Sequence, residues 1–366
     1  MLAIYRKYRP ATFEDLLGQE LTVKILKEAA KQDRLAHAYL LAGPRGTGKT
    51  TTARLIAKIA NCDTRAKDVS FQAKGEPCNK CGPCNEINEG RALDVIEIDA
   101  ASNRGIDEIR DLKEKVRVSP ASFRYKVFII DEAHMLTKDA FNALLKTLEE
   151  PPPYVIIILA TTEPDKIPAT ISSRTQQFYF KRALVGQIVG KLKEIAKKEK
   201  IQVSNEALEL IAASAEGSFR DAESLLDQLT SFNGAKISLD DVEKSLGKVG
   251  FDKLSELCGL ILGGKLEDVL KIISEIEEGG FNLVQLTKDI IQYLRRVAVL
   301  KFNPEMKNLF KNELMEEHLE KLVAHATTFR EEQINLIKGL INAYSQMRYS
   351  QFPIIPLEVA IIEALK

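Results

Sequence analysis

The chain has 366 residues, 45% of them hydrophobic, and its 52 basic residues are balanced by 52 acidic ones. Such a length exceeds one compact core and implies two or three domains. The zero formal charge excludes a uniformly basic, coat-like binder of nucleic acid, so phosphate contacts have to come from a local patch. The start, Met1 to Tyr8, lacks the apolar run of a signal peptide, and the longest apolar stretch, Val155 to Ala160, falls far short of the roughly 20 residues that span a bilayer. A cytoplasmic chain without a membrane partner is expected.

Tyr5-Arg6-Lys7-Tyr8-Arg9-Pro10 is aromatic and basic, with a proline that discourages helix before it. It reads either as an exposed arm or as a segment laid across a nucleotide base, with Tyr8 and Arg9 against the ring. From Leu21 to Ala30 apolar residues recur at Val23, Leu26 and Ala30, beside Ile25 and Ala29, as in a half-buried helix. Ala38 to Ala42 then reads as a buried strand, followed by Gly43-Pro44-Arg45-Gly46-Thr47-Gly48-Lys49-Thr50. This fits the P-loop pattern G-x-x-x-x-G-K-[ST]. There, glycines let backbone N–H groups close around phosphates, the lysine reaches the β/γ oxygens, and the hydroxyl of Thr50 ligates Mg²⁺. Thr51 to Ala60 leaves as a helix whose positive N-terminus faces the same anion. The strand, loop and helix together are a poor fit to an ordinary glycine turn, and a bound nucleoside triphosphate is expected.

Four of the five cysteines, Cys62, Cys78, Cys81 and Cys84, cluster behind that helix, while Cys258 stands alone. In a reducing compartment such clustering points to metal rather than disulfides. The two-residue gaps, with Gly82 and Pro83 between ligands, let a tight turn present successive sulfurs to one tetrahedral Zn²⁺. Four thiolates close the shell, as in a structural site; a catalytic zinc keeps a position open for water. Incidental thiols and an iron–sulfur cluster are the alternatives, although nothing nearby suggests electron transfer.

Leu93 to Asp99 reads as the second strand, Ala100 to Gly105 as a polar loop, and Ile106, Ile109, Leu112 and Val116 as one face of a helix. Arg104 and Arg110 fall near its start, where they are either solvated or close to phosphate. Lys126 to Glu132 is an apolar strand closing on two carboxylates, the Walker B arrangement: Asp131 for Mg²⁺, and Glu132 to orient and deprotonate a water. Adjacent buried carboxylates are costly without a cation. Asp131-Glu132-Ala133-His134 also spells the box of one helicase class, but those enzymes carry a second nucleotide-binding α/β domain, and the residues after about 180 are helix-patterned.

Phe141 to Glu150 continues as a helix that halts at Pro151-Pro152-Pro153. Val155 to Ala160 is a strand buried on both faces, as in a parallel sheet, and Thr161 and Thr162 at its carboxyl end lie where such sheets bind ligand, Thr162 placed to position the lytic water. Arg174 precedes a fifth strand, Gln177 to Phe180. Helices follow at Val185 to Glu199, Asn205 to Ala215 and from Gly217 onward, the last with Arg220 in its first turn. The helix macrodipole opposes a cation there unless an anion such as a γ-phosphate, or more plainly Asp221 and Glu223, compensates. Further helical segments run over Phe251 to Leu262, Leu266 to Glu278, Leu283 to Phe302, Met315 to Ala324 and Arg330 to Met347, with a last one from near Pro356. They carry no new motif and either pack on the motor or assemble subunits.

Tyr5 to Glu20, the P-loop with Thr51, the four-cysteine insertion, I-D-E-A-H-M-L, N-A-L-L-K-T-L-E-E-P-P and E-G-S-F-R-D-A together resemble the gamma/tau family of bacterial DNA polymerase III subunits, the AAA+ ATPase motors of the sliding-clamp loader. The resemblance covers essentially the whole chain. It implies an α/β AAA+ RecA-like parallel-sheet domain over 1–180 with a zinc module at about 62–84, a three-helix lid over 181–243 and an all-helical collar or oligomerisation domain over 244–366. It implies ATP, Mg²⁺ and Zn²⁺ as cofactors, and an open pentameric ring of further copies with delta and delta-prime subunits. ATP binding would favour the spiral that opens the clamp, and primer-template DNA, met through its backbone phosphates, would trigger hydrolysis and release. No polymerase chemistry of its own is implied. Lys49, Thr50, Asp131 and Glu132 keep their roles; Thr162 is similar to sensor 1, Arg220 to sensor 2, and Arg174 to the arginine finger that reaches a neighbour's ATP. The family block there is usually Ser-Arg-Cys, whereas this chain has Thr175 in third place. Arg104, Arg110 and Lys146 would face the duplex backbone. The chain ends at Lys366, where the collar should finish, so the helicase- and polymerase-binding regions of the longer tau form are not expected. A scaffold that only binds nucleotide is the remaining alternative, opposed by the intact Thr50 and Glu132.

Overall fold

Five strands, β1 (Ala38–Ala42), β2 (Val95–Asp99), β3 (Lys126–Asp131), β4 (Val155–Thr161) and β5 (Gln176–Tyr179), pair in parallel in the order β2-β3-β4-β1-β5. The computed structural model describes residues 2–102, 106–311 and 314–366, without the side chains of 106–110 and 233. It divides into two units, Met1–Ala183 with Gly217–Asp221, and Leu184–Glu216 with Ala222–Lys366.

In the first unit, the middle strands are buried along nearly their whole length, as a parallel sheet covered by helices on both faces requires. The edge strands β2 and β5 carry Glu97, Asp99, Gln176 and Gln177 instead. Alternate side chains leave opposite faces of a strand. Tyr39, Leu41, Val127, Ile129, Ile156 and Ile158 therefore pack with Leu55, Ile56 and Ile59 of the P-loop helix Lys49–Asn61. Ala38, Leu40, Phe128, Ile130, Ile157 and Leu159 pack on the other face with Leu112 of helix Ile106–Arg117 and Leu144 of helix Lys138–Glu149.

Because β4 lies between β3 and β1, the P-loop, Asp131-Glu132 and Thr161-Thr162 emerge side by side at the carboxyl edge of the sheet, the crevice where open α/β sheets bind ligands. One strand starts later than its hydrophobic pattern suggests. β2 begins at Val95, not Leu93, and Asp94 ahead of it turns its carboxylate to the backbone N–H groups of Ala121 (2.8 Å), Ser122 (2.8 Å) and Phe123 (2.9 Å). Burial pushes the Asp94 carboxyl up, and those donors outweigh it, leaving it below its ordinary value.

The second unit is helical. Two-residue strands, Gln202–Val203 and Lys236–Ile237, form the one strand pairing after Ala183 among the described residues, so the second α/β domain of the helicase reading is not found there. A helix that the hydrophobic pattern did not reveal, Leu239–Leu246, is opened by a capping box: Ser238 N donates to Asp241 Oδ2 (2.8 Å) and Asp241 N donates to Ser238 Oγ (3.2 Å). Helix Leu283–Phe302 runs through a core that includes Leu257, Ile261, Ile290, Leu294, Leu322 and Leu340. The last helix begins at Ile354, so Pro356 sits in its first turn, where the missing N–H leaves no helical bond unmade. No helix among the described residues is long and apolar enough to cross a membrane.

Candidate nucleotide site and cysteine cluster

Gly43 and Gly46 are needed for their lack of a side chain. A Cβ on Gly43 would lie 2.5 Å from Phe180 O, and one on Gly46, whose φ is +73°, would lie 1.8 Å from Ser218 Oγ. The Lys49 ammonium curls back over the loop and donates to Gly43 O and Pro44 O, each at 2.8 Å. Burial lowers the pKa of Lys49, and the carboxylates of Glu132 and Asp131 push it back up. Thr47 Oγ1 donates to Pro44 O (2.8 Å), Arg45 is exposed, and Thr51 lies in the first turn of the helix that Gly48 opens.

Across the crevice, Thr50 Oγ1 donates to Asp131 Oδ2 (2.7 Å), and Thr162 Oγ1 donates to Glu132 Oε2 (3.0 Å). Thr50 and Asp131 are thus hard oxygen donors within one coordination shell, which fits Mg²⁺. Glu132 takes φ +47°, a left-handed conformation uncommon for a residue with a side chain, and its N–H donates to Asp131 Oδ1 (2.9 Å). That turn aims its carboxylate away from Asp131 and toward Thr162.

Two residues here escaped the sequence reading. His134 Nδ1 lies 3.1 Å from Thr161 Oγ1 and 3.4 Å from Glu132 Oε2, while Nε2 lies 3.2 Å from Glu163 Oε1, and Glu163 Oε2 pairs with Lys166 Nζ at 2.9 Å. The helicase spelling was the only sign of it. Gln19 holds the end of β5, donating from Nε2 to Lys181 O (2.8 Å) and accepting from Lys181 N (3.1 Å). Tyr5, not Tyr8, lies under Arg220, whose Cζ is 5.1 Å from the ring centroid; Tyr8 takes Lys7 at 5.7 Å, and Arg9 is half-buried. Arg220 is the second residue of helix Phe219–Asn233, and Gly217–Asp221 clusters with the P-loop unit.

The structure does not bring Arg174 to Lys49 and Asp131. Its Nη2 pairs with Glu149 Oε1 at 2.7 Å, and Nη1 donates to Thr170 O at 2.8 Å. Lys146 is exposed on helix Lys138–Glu149, while Arg104 and the side chain of Arg110 lie outside the described residues.

The sulfurs of Cys62, Cys78, Cys81 and Cys84 all lie within 4.8 Å of one another, with Cys78 and Cys84 4.0 Å apart. A tetrahedron of Zn–S bonds of about 2.3 Å has edges of about 3.8 Å, so the set fits one zinc ion. Lys80 N and Cys81 N donate to Cys78 Sγ (3.4 and 3.3 Å), and Cys78 N donates to Cys62 Sγ (3.5 Å), bonds that favour thiolate. The Cys62 thiol is held far below its ordinary value by a hydrogen bond from Cys84, and the same pairing pushes Cys84 up. A helix the pattern missed, Gly82–Glu89, has Pro83 in its first turn, a readable start signal, and presents the fourth ligand. Buried Lys58 stands beside the cluster; burial lowers its pKa, and Cys84, Asp15, Glu76 and Cys62 raise it. Cys258 lies in the helical unit, fully buried, its thiol raised by that burial.

A parallel sheet with a P-loop after β1, paired carboxylates closing β3 and a hydroxyl beyond β4 defines an AAA+ protein with a RecA-like nucleotide-binding core. Family models match in succession: "DNA polymerase III, delta subunit" over residues 18–183, "DNA polymerase III clamp loader subunit, ATPase lid domain" over 187–234 and "DNA polymerase III subunits gamma and tau domain III" over 237–366. DNA polymerase III subunit tau of Bacillus subtilis is 43% identical over 99% of this chain and 62% of its own length. Subunit gamma/tau of Mycoplasma genitalium is 40% identical over 98% of this chain and 58% of its own. Subunit gamma of Buchnera aphidicola is 36% identical over 82% of this chain and 80% of its own. The chain belongs to the gamma/tau family of DNA polymerase III clamp-loader subunits, and it spans about three fifths of the length of the first two relatives.

Proposed function

We propose that the chain is an ATP-hydrolysing motor subunit of a cytoplasmic sliding-clamp loader, with a catalytic domain over 1–180, a lid over 181–243 and a collar over 244–366. The observation that carries this is the meeting of Thr50 with Asp131 and of Thr162 with Glu132 at the carboxyl edge of the sheet. In the mechanism we favour, Lys49 exchanges the carbonyls of Gly43 and Pro44 for β/γ-phosphate oxygens, and Glu132 orients the attacking water and takes its proton, with Thr162 fixing the carboxylate. Mg²⁺, held by Thr50 and Asp131, would neutralise charge on the phosphates.

Arg220, at the start of its helix, would meet the γ-phosphate, which removes the macrodipole objection to a cation there. Arg174, half-buried and paired with Glu149 apart from this chain's own P-loop, suits a finger that serves a neighbouring subunit. Stabilisation in trans of this kind is worth about 10³-fold or more in related NTPases. Hydrolysis would then report ring closure with delta-type partners, the clamp and primer-template DNA. The test is ATP turnover with and without clamp, primed DNA and partner subunits. Arg174→Ala should keep nucleotide affinity and lose the stimulated rate in the mixed ring; undiminished stimulation would rule out the role in trans.

A further inference from the structure

The residues between the cysteines grip two elements of the nucleotide site. Asn79, next to Cys78 and at φ +53°, donates from Nδ2 to Ala11 O (3.0 Å) and accepts at Oδ1 from Lys58 Nζ (2.8 Å). Lys58 belongs to the P-loop helix, is 2% exposed, and also donates to Ala11 O (2.9 Å) and Asn88 Oδ1 (3.0 Å). Glu76, two residues before Cys78, accepts from Phe13 N (2.7 Å) and Glu14 N (3.2 Å), and pairs with Lys27 at 3.1 Å. Cys62 itself caps the carboxyl end of the P-loop helix.

The gripped segment leads straight to the phosphate loop. Leu16 Cδ2 lies 3.3 Å from where a Cβ on Gly48 would stand, and Gln19 secures Lys181 at the end of β5. A tetrathiolate zinc shell carries two negative charges, and the Lys58 ammonium, buried beside Cys84 and Cys62, offsets one of them. Charge on the metal shell, the P-loop helix and the N-terminal segment are therefore joined at one side chain.

Resting on the nucleotide-site reading above, we infer that the cysteine module, closed on its metal, is a clasp that holds Ala11–Leu16 and the far end of the P-loop helix in the geometry that nucleotide binding requires, with Asn79 and Lys58 as positioning residues. Metal occupancy and nucleotide affinity are then linked, and the linkage is reciprocal: nucleotide tightens metal binding by the factor by which metal tightens nucleotide. Loss of the metal lets the turn Cys78–Cys81 open, and Asn79 and Glu76 release the segment they hold.

The test uses the full chain, a non-hydrolysable fluorescent ATP analogue and a chromogenic zinc chelator. Asn79→Gly keeps all four thiols and tolerates the positive φ, but removes both side-chain bonds; it should retain about one zinc per chain while raising the analogue Kd about 5- to 10-fold. The zinc-stripped chain, its helicity checked by circular dichroism, should bind at least as weakly, and saturating analogue should tighten the equilibrium zinc affinity of the wild type, read by competition with the chelator, by a similar factor. Wild-type affinity in Asn79→Gly, or an equilibrium zinc affinity indifferent to nucleotide, overturns the inference. If stripping unfolds the chain, those two measurements decide alone. Lys49→Ala separates the two claims: analogue affinity undiminished in that variant would sink the nucleotide-site reading itself, independently of the clasp.

Discussion

Gly46→Ala tests whether the P-loop crown and the segment bearing Arg220 are one packed unit. The added Cβ would lie 1.8 Å from Ser218 Oγ and 2.8 Å from Ser218 Cβ, at a φ of +73°. Left-handed backbone costs an alanine about 1 kcal/mol. Ser218 precedes helix Phe219–Asn233, and its hydroxyl accepts from Asp221 N at 3.1 Å, so swinging it aside forfeits a helix cap worth about 1 kcal/mol. Gly46→Ala should therefore destabilise the fold by about 2 kcal/mol. Ser218→Gly alone, since glycine is itself a tolerable cap, should cost only about 0.5 kcal/mol. In the double variant no side chain opposes the new Cβ, and the total should be about 1.5 kcal/mol, less than the sum of the singles by about 1 kcal/mol. Denaturant unfolding of the four proteins measures this coupling, and ATP-analogue affinity follows its effect on the loop. Strict additivity would show that the two segments do not touch as described.

Three further outcomes are expected. His134→Ala removes the ring that stands 3.4 Å from Glu132 and 3.2 Å from Glu163, and should lower kcat about 10-fold or more with analogue affinity unchanged; equal loss of affinity would place His134 in binding instead. Burial raises the Glu223 carboxyl to about 7 from its ordinary 4.5, with Lys191 pulling it back. The folded state therefore holds that proton more tightly than the unfolded chain, and stability falls as pH rises from the unfolded value through the folded one, by about 3 kcal/mol in all. Glu223→Gln should remove this dependence, so its stability relative to wild type rises by about 3 kcal/mol between pH 4 and pH 8; a pH-independent difference refutes the assignment. Elemental analysis should find about one zinc per chain, lost in Cys81→Ser and kept in Cys258→Ser, whose thiol lies buried in the helical unit.

The sheet and its crevice were legible because their signals are local. An unbroken apolar run such as Val155 to Ala160 has one economical fate, burial in a parallel sheet, and the P-loop and Walker B patterns each lie within a single strand and its exit turn. The errors came where one polar side chain redirects the backbone. Asp94 looked like part of an alternating strand, but its carboxylate has a stronger use in the N–H groups of residues 121–123, about 28 positions away. Leu239–Leu246 was legible in principle, since Ser238 and Asp241 have capping-box spacing and Gly247 stops the helix at φ +58°, but hydrophobic periodicity does not register caps.

What no local pattern carries is the pairing of distant polar groups. Lys58 is unremarkable as the tenth residue of an amphipathic helix; only the fold puts its ammonium between Ala11, Asn79 and Asn88. The same holds for Gly46 against Ser218 and for Arg174 against Glu149. Burying such groups is costly unless every donor finds an acceptor, so each fully bonded pairing restrains both partners. The proposed catalytic residues are spelled in short motifs, while the contacts that hold them in register join segments about 20 to 170 positions apart, from Lys58 with Asn79 to Gly46 with Ser218. The proposed mechanism, in which one subunit closes against another, needs that second set, because a finger or sensor displaced by about 1 Å loses most of its effect on the rate.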